Sequence, residues 1–134
     1  MIVADANLIA HLHLPGPKES VAEAILAKDP DWCAPPLWQS EFRNILFAYI
    51  RTQGMSLSLA EAQWRDALSL IGPHEFDVDA SRVLGKSTST QLSAYDAEYV
   101  VLAESLSLPL VTSDRQILAA CPQLALSLED FIAA

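Results

Sequence analysis

Four carboxylates stand where placement alone gives them a chance to do chemistry: Asp5, Glu41, Asp96 and Asp114. Asp5 closes the apolar run Met1-Ile2-Val3-Ala4, and Asp114 follows Leu108-Pro109-Leu110-Val111-Thr112-Ser113. If both runs are buried parallel strands, their carboxyl ends share one sheet edge, and that edge is where α/β proteins bind ligands. Each Asp can equally cap the helix that follows it. Glu41 is more informative, because Leu37 and Ile45 lie four residues to either side and Ala48 seven residues on, in line with an apolar stripe. An ionised carboxylate under a core is costly unless it is protonated, paired with an arginine or bound to a metal. Arg43 points to another side of the same helix, so an arginine partner would have to come from elsewhere. Asp96 lies three residues after Ser93, where a capping box of the form Ser-x-x-Asp accounts for it. The same placement aims it at the strand-end side if its helix runs antiparallel to the sheet. The four acids could then converge.

The elements that must position these residues can be traced along the chain. Met1 to Ala4 reads as a strand, Asn7 to Leu14 as a short helix stopped by Pro15-Gly16-Pro17, and Lys18 to Lys28 as an amphipathic helix ended by Asp29-Pro30. Trp32 to Ala34 suits a second strand. Pro35-Pro36 suits the start of a helix from Leu37 to about Thr52, closed near Gln53-Gly54. Ser58-Leu59-Ala60-Glu61 fits a capping box opening a helix that reaches Gly72-Pro73. His74 to Val78 is a plausible third strand. Asp79 caps a helix to about Thr90, Ser93 caps another from Ala94 to Ser107, and Leu108 to Thr112 forms a strand before Asp114, with Leu124 to Leu126 as a last strand. Strands alternating with helices imply an α/β fold with a parallel sheet covered on both faces, because parallel connections need long crossovers.

Composition sets the outer bounds. At 134 residues and 51% hydrophobic, the chain suits one domain spanning residues 1–134. No apolar run approaches the ~20 residues that cross a bilayer, and no basic segment precedes a signal-peptide core, so the expectation is a soluble, cytoplasmic chain. Cys33 and Cys121 lie far apart with no metal-binding spacing, and a reducing compartment suits both as buried thiols. Eight basic residues against 17 acidic give a net charge of −9, the wrong sign for a generic polyanion binder. A nucleic-acid partner would then need a local basic path or metal ions.

The segments Val3-Ala4-Asp5-Ala6-Asn7, Ser40-Glu41, Ser93-Ala94-Tyr95-Asp96-Ala97-Glu98-Tyr99 and Val111-Thr112-Ser113-Asp114 occur in the order seen in PIN-domain proteins, and the chain resembles the VapC-type toxins among them. The resemblance spans nearly the whole length and is closest from Ser93 to Asp114. It implies a three-layer α/β/α fold with a central, mainly parallel sheet, a Mg2+ (or Mn2+) pocket, and endonucleolytic cleavage of RNA to 5'-phosphate and 3'-hydroxyl ends. Asp5, Glu41, Asp96 and Asp114 match the acidic quartet, with the first three as the closer metal ligands and Asp114 bound directly or through water. Thr112 matches the hydroxyl residue before the last Asp; it or Ser113 would orient a water or the substrate phosphate, and Asn7 is an auxiliary contact. The resemblance also implies a small VapB-like antitoxin partner and a homodimer.

Arg43, Arg82, Lys86 and Arg115 are candidate phosphate contacts, with solvated surface charge as the plain alternative. His11 and His13 read as a partly exposed helix face, and Trp32, Trp38 and Trp64 as core or interface, with base stacking as the less economical reading. Two other function classes compete. A phosphatase or receiver-type phosphotransfer domain fits poorly: Asn7 occupies the place of the second Asp that a phosphatase wants, and no lysine follows Lys86. A non-catalytic PIN-like scaffold that binds a partner protein is opposed by the intact quartet.

Overall fold

The computed structural model describes residues 1–134. Its elements are β1 (Ile2–Ala4), α1 (Ala6–His13), α2 (Glu19–Lys28), β2 (Trp32–Cys33), α3 (Leu37–Gln53), α4 (Leu57–Ile71), α5 (Ala80–Thr90), α6 (Ala94–Leu106), β3 (Leu110–Val111), α7 (Arg115–Ala120), β4 (Ala125–Leu126) and α8 (Leu128–Ala133), with a 3-10 turn at Gly72–His74. The four strands form one sheet in the order β2-β1-β3-β4, and every pairing is parallel. The α/β class inferred from alternating strands and helices is therefore the observed one. None of the helices is long and apolar enough to cross a membrane.

From β1 the chain moves to β2 on one side and later to β3 on the other, so the switch point of the sheet falls between the carboxyl ends of β1 and β3. Crevices open at such points because the two crossovers leave in opposite directions. β1 and β3 are short but wholly buried: Ile2, Val3, Ala4, Leu110 and Val111 are at most 1% exposed. They sit in a continuous core with Trp32, Trp38, Phe42, Tyr99 and Leu102, and α6 packs directly on β1 and β3.

Local capping accounts for most helix starts. Asp5, Asp79, Ser93 and Asp114 each accept a hydrogen bond from the backbone N–H three residues on, as their sequence positions imply. Two expectations need correction. The cap of α4 is Ser56, whose Oγ accepts from Leu59 N at 3.1 Å, and not Ser58: Gly54 ends α3 in the left-handed conformation at φ 70°, and the chain re-enters a helix within three residues. His74 to Val78 is not a strand. The Gly72–His74 turn takes its first residue, and only an isolated bridge between Ala34 and Glu75 remains, made by Ala34 N to His74 O and Phe76 N to Ala34 O. Pro73 brings no N–H to a ladder, and Asp79 already caps α5.

That bridge has a positioning role. It brings the Glu75 carboxylate to the start of α3, where it accepts from Trp38 Nε1 at 2.6 Å and from Gln39 Nε2. Trp38 is fully buried and stacks on Trp64 with centroids 5.4 Å apart. The turn of α3 that carries Glu41 is thus held from both ends of the Trp38 side chain.

Candidate active site

The register of β1 and β3 pairs Ala4 with Val111, so the next residues, Asp5 and Thr112, emerge side by side. Thr112 is fully buried. Its hydroxyl donates to Asp5 Oδ2 at 2.5 Å and accepts from Asp114 N at 3.0 Å. Asp5 Oδ1 meanwhile accepts from Leu8 N at 2.9 Å, and Asp114 Oδ1 accepts from Ile117 N at 2.9 Å. Capping and membership of a strand-end acidic group are therefore properties of the same two residues. With its hydroxyl engaged on both sides, Thr112 has no face for a substrate phosphate; what it does is tie the two aspartates together across the sheet.

The other two candidate acids stand on helices, Glu41 on α3 and Asp96 on α6. Both are half-buried. Glu41 enters no ion pair, so the arginine partner considered for it is absent. Its Oε1 instead accepts from Tyr99 Oη at 2.6 Å, and Tyr99 is itself 1% exposed on α6. Tyr99 lies three residues after Asp96, one helical turn along the same face, which is the signal in the sequence that could have drawn attention to it.

Electrostatics shows that the four acids feel one another. Burial pushes Asp5 up to about 6, against the Thr112 and Leu8 hydrogen bonds that favour its charge, and Asp114 and Glu41 push it further. Glu41 is raised by burial, held back by Tyr99, and raised again by Asp96. Asp96 is raised by burial and by Asp114, with Ser93 opposing. Neighbouring Glu98 is raised by burial and by Glu41. No lysine or arginine is among the groups acting on Asp5, Glu41 or Asp96. The group is thus short of positive charge, and its donors are all oxygen, the set that suits a hard divalent cation. As the side chains stand, no three of them are gathered closely enough to ligate one ion.

The basic candidates fare unevenly. Lys86 Nζ pairs with Glu104 at 2.8 Å, and Arg82 bonds Ser105 Oγ at 2.7 Å and lies 3.9 Å from Glu104. Both therefore link α5 to α6, the surface-charge role that was the plain alternative for them. Arg43 lies over the Trp64 ring, 5.2 Å from its centroid. Arg115, beside Asp114, is exposed and enters no ion pair. Asn7 is exposed near the start of α1, and His11 and His13 are half-buried. Trp32 and Trp38 are fully buried, which removes them as base platforms. Both cysteines are free and buried; burial pushes the Cys33 thiol up to about 11.

Comparison with known proteins accords with this geometry. Among curated proteins, none matches the chain significantly. Among solved structures, PAE2754 from Pyrobaculum aerophilum is similar over 98% of this chain and 93% of its own, at 24% identity and a TM-score of 0.75. A toxin-antitoxin complex from Klebsiella pneumoniae contains a chain similar over 96% of this one and 98% of its own, at 17% identity and a TM-score of 0.72. FitAcB from Neisseria gonorrhoeae is similar over 96% of this chain and 99% of that one, also at 17% identity and a TM-score of 0.72. At such identities the likeness is one of fold. The PIN domain model matches residues 2–121, a span that takes in all four acids, the strand ends that carry two of them and the two helices that carry the others, and the chain belongs to the PIN domain family.

Proposed function

We propose that the protein is a metal-dependent endoribonuclease that cleaves RNA phosphodiesters to 5'-phosphate and 3'-hydroxyl ends. The observation that supports this reading is that Asp5, Glu41 and Asp96 each feel another acid of the four and no basic side chain. Family membership supports it, since PIN domains are generally nucleases. Asp5, Glu41 and Asp96 hold Mg2+ or Mn2+, with Asp114 bound directly or through water. An ion held there would supply an activated water and neutralise charge on the phosphate. Thr112 keeps Asp5 and Asp114 in register, and Tyr99 holds Glu41 from behind. Arg115 is the basic residue best placed to meet a phosphate.

The decisive experiment incubates cellular RNA with the purified protein and magnesium, manganese or EDTA. Discrete 5'-phosphorylated fragments are expected with either metal and none with EDTA. Absence of any metal-dependent cut, together with no calorimetric binding of either ion, refutes the metal pocket and leaves Asp5 and Asp114 as helix caps.

Tyr99→Phe tests the support of Glu41. The substitution keeps the buried ring and removes one short, charge-assisted hydrogen bond. Manganese affinity measured by calorimetry is expected to fall about tenfold to a hundredfold, as for other residues that orient a ligand from behind. Because Tyr99 holds the Glu41 carboxyl down, the pH at which binding is half-maximal should also rise. An unchanged affinity removes Tyr99 from the site.

The toxin role belongs to the same proposal: one similar structure is a toxin-antitoxin complex, and this chain leaves an apolar groove open between α3 and α4. The groove is lined by Leu46, Phe47, Ile50, Leu57 and Trp64, with Phe47 53% and Leu57 65% exposed, the kind of patch that proteins cover with a partner. A small antitoxin and a homodimer are the partners proposed.

A further inference from the structure

Of the cavities in the molecule, one shares a wall with the acidic group. Leu37, Ser40, Glu41 and Asn44 line it from α3 and Tyr95 from α6, around a volume of about 350 Å3. The four α3 residues recur at intervals of three, one and three, so they form a single face of the helix. Tyr95 stands in the first turn of α6, immediately before Asp96, and is 63% exposed. The tryptophans offer no equivalent: Trp32 and Trp38 are fully buried, and Trp64 is stacked on Trp38 and covered by Arg43.

We propose that this cavity seats an unpaired RNA base next to the bond that is cut, with Tyr95 as its stacking surface and Asn44 and Ser40 reading its edge. The inference rests on the nuclease reading and assigns that site its substrate form. A flat ring beside a carboxamide and a hydroxyl offers what a base needs, a π-face together with donors and acceptors on one side. A base within a duplex has both faces covered by its neighbours and cannot stack on Tyr95 without leaving them, so the base seated in this open cleft comes from a single strand, a loop or a bulge. Sharing Glu41 with the acidic group places the base within about one nucleotide of a phosphate held there. The α3 face thus contributes recognition and the strand ends contribute chemistry, which explains how an acidic chain can choose a cutting site without a basic groove.

The test uses short single-stranded RNAs of varied sequence, with 2-aminopurine at successive positions along each. On mixing with the wild type in a stopped-flow instrument, fluorescence at one position should fall before cleavage, as stacking on Tyr95 quenches it. Tyr95→Ala should abolish that quench and raise KM about tenfold or more, with kcat changed much less and with unaltered thermal stability, because the side chain is exposed. Tyr95→Phe should retain the quench. Asn44→Ala should keep the quench but narrow the difference in kcat/KM between substrates that differ only at that base. If Tyr95→Ala cuts with unchanged KM and the same quench, the base pocket is refuted while the nuclease stands. If the wild type neither binds nor cuts these RNAs, the nuclease reading falls and takes the pocket with it.

Discussion

Asp5→Asn is expected to raise the melting temperature of the metal-free protein at pH 7.5 and, in the same molecule, to lower RNA cleavage by about a hundredfold or more. The two effects have one cause. Asp5 is 5% exposed and burial pushes its carboxyl up to about 6, so keeping it ionised above that pH works against folding. Asn has nearly the same shape, retains the side-chain oxygen that caps α1 at Leu8 N, and carries no charge to desolvate. One adjustment opposes the gain: Thr112, which donates to Asp5 and accepts from Asp114 N, would have to turn its hydrogen elsewhere. A net gain of about 1 to 2 kcal/mol remains, or roughly 3 to 8 °C for a chain of this size. Differential scanning calorimetry in EDTA reads the first effect, and fragment release from RNA in manganese reads the second. A variant that melts well below the wild type in EDTA contradicts the account of Asp5 as an uncompensated buried charge. One that still cuts removes Asp5 from the site.

The second large effect is on stability as a function of pH. A carboxyl raised in the folded state binds its proton more tightly there than in the unfolded chain. Folding is then favoured at low pH, and that advantage is lost as pH rises through the folded value. Asp5 alone sets a window from 3.8 to about 6, worth on the order of 3 kcal/mol, and Glu41 and Asp96 shift in the same direction. In EDTA, the melting temperature should therefore decline between about pH 5 and 7, where most proteins are near their maximum. Manganese should reverse the decline at pH 7 and do little at pH 5, because protons and metal compete for the same oxygens. Asp5→Asn should flatten the curve. A melting temperature that rises steadily from pH 5 to 7 in EDTA would mean that the acids are compensated in the fold.

Much of the frame that produces these effects is legible in the residues alone, for a local reason. A cap acts over three residues and a helical stripe over four to seven, so Asp5, Asp79, Ser93 and Asp114 could be identified as caps from their immediate context. The alternation of elements likewise implies parallel strands, since only long crossovers lie between them. The quartet itself could be proposed because each acid occupies an unusual place within its own segment. Local context also misled. Ser58 has a better capping-box pattern than Ser56, but the left-handed Gly54 decides where the chain turns back into a helix. His74 to Val78 looks like a strand until the 3-10 turn and the Asp79 cap have taken their residues.

The sequence by itself determined most element types and most helix starts, and it singled out the four acids as candidates. What only the tertiary structure decided is how those acids are held and what lies beside them. Thr112 meets Asp5 across 107 residues and Tyr99 meets Glu41 across 58, pairings set by strand register and helix packing that no short window contains. The same packing spends Lys86 and Arg82 on α6, buries Trp32 and Trp38, and leaves Tyr95 exposed beside Glu41. Propensity and periodicity act between near neighbours, whereas the charge balance of a site depends on which distant segments the core brings together.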